Sequence, residues 1–123
     1  MAKSSLLEKK IITAPNWVRN KKEEGEAVIF WFNNKKTGDF ISVTDDWNYP
    51  NYNESHPNIR MQFFDKIAKK SRYVAFPFTT RKSVTEEGSR RVIERLENEG
   101  KLCKTKAEMD NYWKTAEMWS GKE

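Results

Sequence analysis

Residues 26–46 constrain this chain more than any other stretch. Ala27-Val28-Ile29-Phe30-Trp31-Phe32 is its longest apolar run, and after Asn33-Asn34-Lys35-Lys36-Thr37-Gly38 comes a second strand-like run, Phe40-Ile41-Ser42-Val43-Thr44. Both runs are rich in β-branched and aromatic residues, and the connector holds a glycine able to take φ > 0, so the segment predicts a β-hairpin with a loop of four to six residues. Alternation places Val28, Phe30 and Phe32 on one face and Ala27, Ile29 and Trp31 on the other. A strand apolar at both parities predicts cover on both sides. In the second run Ile41 and Val43 oppose Ser42 and Thr44, which predicts one wetter face.

The length of 123 residues suits one domain (1–123) with one core, an N-terminal arm over 1–25 and an aromatic loop over 47–57. Sixteen aromatics, five of them Trp, supply the apolar bulk that disordered chains lack. No apolar run reaches the roughly 20 residues of a membrane helix, and the first residues lack a signal peptide's apolar segment, so the expected location is cytoplasmic and the expected partners exclude membranes. The single cysteine, Cys103, fits a reducing compartment. The formal charge of +5 is unevenly spread. Between Ile59 and Lys82 stand seven basic residues and a single acid, whereas residues 26–58 are net acidic. A concentrated basic field attracts polyanions.

Elsewhere, capping patterns mark helix starts. Ser5-Leu6-Leu7-Glu8 opens a short helix stopped by Pro15, and Trp17 and Val18 then anchor the arm to the core. Ile59, Phe63, Phe64 and Ile67 recur at helical spacing behind Pro57, predicting a helix. Arg72-Tyr73-Val74-Ala75-Phe76-Pro77-Phe78 reads as a third strand, its proline implying an edge or a strand end. Ser83-Val84-Thr85-Glu86 opens a helix that stops at Gly100, and Lys101-Leu102-Cys103-Lys104 is a short strand or a connector. Thr105-Lys106-Ala107-Glu108 opens the last helix, with a stripe of Met109, Tyr112, Trp113, Ala116 and Trp119. The expected class is α+β: an antiparallel hairpin plus a third strand, packed by three to four helices.

Two features point to binding. Arg60, Lys66, Lys69, Lys70, Arg72, Arg81 and Lys82 could converge on a phosphate backbone, giving affinity that falls with salt. Trp47, Tyr49 and Tyr52, interleaved with Asn48, Asn51 and Asn53, could stack bases or supply the anchors of a protein interface, although Asp45, Asp46 and Glu54 beside them oppose a polyanion. Thr79-Thr80-Arg81-Lys82-Ser83 is a weaker anion candidate, because Glu86 and Glu87 already complement the helix dipole.

Catalytic signatures are scarce. His56 is the lone histidine, Cys103 is more readily a small buried hydrophobe than a nucleophile, and Asp45, Asp46 and Glu54 could gather a divalent cation without the rest of a nuclease arrangement. One His and one Cys do not make a zinc site of the usual kind, and no cofactor is implied. The expectation is therefore a small non-enzymatic protein that binds single-stranded or structured DNA or RNA through the segment from Arg60 to Lys82. Its rival is an inhibitor or adaptor whose aromatic loop supplies the hot spots while the basic segment meets an acidic protein partner.

Overall fold

Each run of alternating apolar residues finds its partner in the next run along the chain. The computed structural model, which describes residues 12–45, 59–76 and 81–115, contains five strands: β1 (Trp17–Arg19), β2 (Val28–Asn34), β3 (Phe40–Asp45), β4 (Ile59–Asp65) and β5 (Lys70–Ala75). They form one antiparallel meander in the order β1-β2-β3-β4-β5. Two helices follow, α1 (Glu86–Asn98) and α2 (Lys106–Thr115), with short 3-10 turns at Lys21–Glu23 and Arg81–Ser83. The class is α+β, as expected, but the sheet has five strands and the described residues hold two α-helices.

The largest correction concerns β4. The helix expected from Ile59 to Ile67 is a strand, with Ile59, Met61 and Phe63 buried and Arg60 and Gln62 half-buried. Pairing with β3 on one side and β5 on the other favours the extended chain, and Ile67 is left 63 % exposed in the turn that follows. Asp65 closes that turn: its Oδ1 accepts from the backbone N–H groups of Ile67 and Ala68, at 2.9 and 3.0 Å. Trp17 and Val18, read as an anchor, belong to a short strand on β2. The third strand is β5, which ends at Ala75; Pro77 and the N-terminal helix expected near Ser5 lie outside the described residues.

The β2–β3 hairpin forms as its sequence requires, with Gly38 at φ +80° in the connection. A bulge between Val28 and Phe30 alters the expected parity, because Val28 pairs with Thr44 while Phe30 pairs with Val43. Val28 therefore leaves the face of Phe30 and Phe32, and Ile29 packs against the core.

One face of the sheet carries that core. Phe30, Phe32, Ile41, Val43, Ile59, Met61 and Phe63 are buried against Ile93 and Leu96 of α1, with Trp17, Val84 and Leu102 closing the margins. The α1 cap is Thr85, two residues past the expected Ser83, its hydroxyl accepting from Gly88 N–H at 3.0 Å. Gly100, at φ +73°, follows the helix end. Residues 101–104 are a connector to α2, whose cap is the expected Thr105, with its hydroxyl accepting from Glu108 N–H. A smaller cluster joins Phe64 to Cys103, Met109 and Tyr112.

Charge secures one edge of the core. Arg19 forks onto Glu24 at 2.7 and 2.8 Å and reaches Glu86 at 3.2 Å, with its guanidinium 4.8 Å from the centre of the Phe30 ring. The hydrogen bond from Arg19 holds the Glu24 carboxyl below its ordinary range. Arg90 in turn donates to Glu86 and to the carbonyls of Thr13 and Ala14. These bonds tie the arm, the first strands and α1 together.

Candidate nucleic-acid interface

Because side chains alternate along a strand, the register that buries Phe30, Val43 and Met61 aims their neighbours the other way. On that outer face Trp31, Ser42, Gln62 and Tyr73 are successive cross-strand partners, forming one row over four strands about 14 Å wide. A second row runs Val28, Thr44, Arg60, Ala75. A third begins Val18, Asn33, Phe40, and Phe64 and Ser71 pair at the same end of the sheet. No carboxylate occupies any of these strand positions. Asp45 and Asp65 fall in the opposite register, with Ile59 and Lys70.

Rings are stacked along this face. Trp31 lies parallel to Phe40, with centroids 4.6 Å apart and planes 10° from each other. The Arg60 guanidinium sits 4.6 Å from the centre of Tyr73. Where α2 crosses the corner, Trp113 packs on Phe64 at 4.6 Å. Among the described helices α2 alone packs here, and Val18, Phe40 and Trp113 remain exposed. Between the Phe40 and Trp113 rings opens a cleft lined by Gln62, Phe63, Phe64, Ser71 and Asp39, with about 20 Å³ of free space, room for one water.

The expected basic site is divided by the β4–β5 hairpin. Lys66, Lys69, Lys70 and Arg72 stand towards its turn, whereas Arg60, Arg81 and Lys82 stand towards the end where Ile59 pairs with Asp45, a strand length of about 17 Å away. Several are already engaged. Lys66 donates to Glu108 at 2.7 Å, Arg72 lies 3.6 Å from Asp65, and Arg81 lies 3.5 Å from Asp45 and reaches the Gly25 carbonyl. Lys69 and Lys82 are exposed, and Lys70 is half-buried. The β2–β3 turn emerges at the same end as the β4–β5 turn, so the exposed Lys35 and Lys36 join Lys69 beside the rings of Phe40 and Trp113. Trp47, Tyr49 and Tyr52 lie outside the described residues, as do Asp46, Glu54, His56, Thr79 and Thr80.

Sequence reasoning missed Trp31, Phe40, Gln62 and Tyr73 as surface partners, and passed over Lys35 and Lys36. Alternation marked Trp31 as facing away from Phe30 and Phe32. Grouping it with Tyr73 needs the register of four strands.

The catalytic candidates fare differently. Cys103 is buried, and desolvation followed by the charges of Asp39 and Glu108 pushes its thiol up to about 12, the reverse of an activated thiolate. Asp45 is buried beside Arg81. No group of three His, Cys, Asp or Glu side chains could hold a metal ion among the described residues. Asp39, 2 % exposed, accepts at Oδ1 from Phe40 N–H at 2.8 Å, and its Oδ2 is buried without a partner. Burial pushes this carboxyl up to about 7, the Phe40 bond opposing it. No helix among the described residues is long and apolar enough to cross a membrane. No family model matches the chain, nor does any curated protein or solved structure with which it was compared.

Proposed function

We propose that the protein binds single-stranded or unpaired nucleic acid on the outer face of its sheet. The observation that carries this reading is the face itself, where Trp31, Phe40, Phe64 and Tyr73 occupy strand positions free of carboxylate, Trp31 stacks on Phe40 and Trp113 of α2 packs on Phe64. An unpaired base offers a π-face to any exposed ring, and each such stack is worth about 1–3 kcal/mol. A polyanion crossing the row from Trp31 to Tyr73 meets the half-buried Gln62 as a hydrogen-bonding group, with Lys35, Lys36 and Lys69 at the margin for its phosphates. The seven basic residues expected from sequence become flanking contacts, since the hairpin keeps them from forming one patch.

The test is anisotropy of labelled single-stranded DNA and RNA at low and near-physiological salt. The expected result is saturable binding that weakens as salt rises and that drops about tenfold or more in Phe40→Ala or Trp31→Ala. Absence of binding at low salt overturns the reading and favours a protein partner for the same exposed rings.

A further inference from the structure

The stack of Trp31 on Phe40 is built on a turn with a carboxyl group sealed inside it. Asp39 is 2 % exposed although Phe40, the next residue, is on the surface, and its Oδ1 accepts from the Phe40 N–H at 2.8 Å. Its own N–H donates to Thr37 Oγ1 at 3.1 Å, and its carbonyl accepts from Asn34 N–H at 2.9 Å, so the residue is fixed in the closure of the β2–β3 hairpin. Oδ2 is buried without a hydrogen-bond partner. The charged groups around it do not compensate. Lys35 and Lys36 of the same turn are exposed. The Asp39 charge acts on the Cys103 thiol of the connector, as do Glu108 of α2 and Lys66 of the β4–β5 turn, and those two are paired with each other. An ionised Asp39 therefore has neither water nor a counter-ion beside it, and the closed turn suits the neutral acid.

Building on the nucleic-acid reading above, we infer that Asp39 is a proton switch for the outer face: as the neutral acid it keeps Phe40 stacked on Trp31, and once ionised it loosens that ring and weakens the hold on single-stranded nucleic acid. Water is what stabilises the carboxylate, and water reaches a buried oxygen when the turn opens. Phe40, joined to Asp39 by one peptide bond, moves with it. The Phe40 N–H favours the carboxylate but does not offset burial, which pushes the group up to about 7. With the neutral form as the binding-competent one, the competent fraction falls from nearly all at pH 5.5 to about one tenth at pH 8, and affinity falls in proportion. By linkage, nucleic acid in turn raises the proton affinity of Asp39, so the complex takes up protons near neutral pH.

The experiment uses the full chain and rhodamine-labelled single-stranded RNA, read by anisotropy from pH 5.5 to pH 8 at fixed ionic strength. Affinity is expected to fall about fivefold to tenfold over that range while circular dichroism stays constant. In Asp39→Asn, whose amide keeps the acceptor for Phe40 N–H, affinity should hold its acid value throughout. Calorimetric titrations at pH 7 in phosphate and in Tris should differ by the heat of protons drawn from the buffer, and should agree for Asp39→Asn. A flat profile in the unsubstituted chain, a slope that survives in Asp39→Asn, weak binding by Asp39→Asn at every pH, or melting of the whole sheet at pH 8 overturns the switch and leaves the general reading standing. Failure to bind at any pH overturns both.

Discussion

The indole N–H of Trp17 donates to the Glu97 carboxylate at 3.0 Å, joining the first strand to the last turn of α1 across eighty residues of chain. Trp17 is 1 % exposed. Trp17→Phe keeps most of the apolar volume and removes the donor, so it is expected to cost about 2–3 kcal/mol by urea unfolding, the range for a bond to a charged partner plus a small packing loss. Glu97→Gln retains an acceptor and should cost less than half as much.

Asp39 sets a pH dependence of definite sign. Its folded carboxyl sits at about 7 against an ordinary 3.8, so between those values the folded chain holds a proton that the unfolded chain has released. Stability then falls as pH rises from about 4 to about 7 and levels off above. Asp39→Asn should remove this slope and raise stability at pH 8, by up to about 4 kcal/mol, as read from denaturant midpoints at pH 5 and 8.

Glu108 behaves in the opposite way. The hydrogen bond from Lys66 holds its carboxyl below the ordinary value, and Lys104 N–H adds a second donor at 2.6 Å. This contribution is complete above the unfolded pKa and is lost as pH falls through the lowered one. Glu108→Gln is expected to cost about 1 kcal/mol at pH 7 and little at pH 3. Since Lys66 is engaged in that pair, Lys66→Met should lower the unfolding midpoint more than it weakens oligonucleotide binding.

Two turns at one end of the sheet carry left-handed backbone with opposite consequences. Gly38, at φ +80°, tolerates it; Gly38→Ala should cost about 1–2 kcal/mol although a Cβ there meets no atom within 4 Å. Lys69 adopts φ +60° as a lysine, and Lys69→Gly should gain up to about 1 kcal/mol in thermal unfolding.

The hairpin of β2 and β3 was legible because apolar alternation, β-branched residues and a turn glycine agree with one another. β4 was not. Ile59, Phe63, Phe64 and Ile67 fit a helical face, while Ile59, Met61 and Phe63 fit a strand face equally well, and the choice was made by β3 and β5, which no local pattern contains. β1, at three residues, is too short to show a period. The outer face was hidden for a related reason. Trp31, Ser42, Gln62 and Tyr73 are neighbours only through three strand registers, and charges close in sequence were drawn to opposite ends of one hairpin.

The order β1-β2-β3-β4-β5 also has a kinetic consequence. Every sheet pairing closes a loop between consecutive strands, the longest being the 46–58 connection, so zipping one hairpin after another incurs little loop-closure entropy at each step. α1 is different, since Ile93 and Leu96 need a surface assembled from β2, β3 and β4 before they have anything to bury against. Substitutions in the β2–β3 hairpin should therefore slow refolding, whereas Trp17→Phe, which cuts the longest-range of these bonds, should chiefly hasten unfolding.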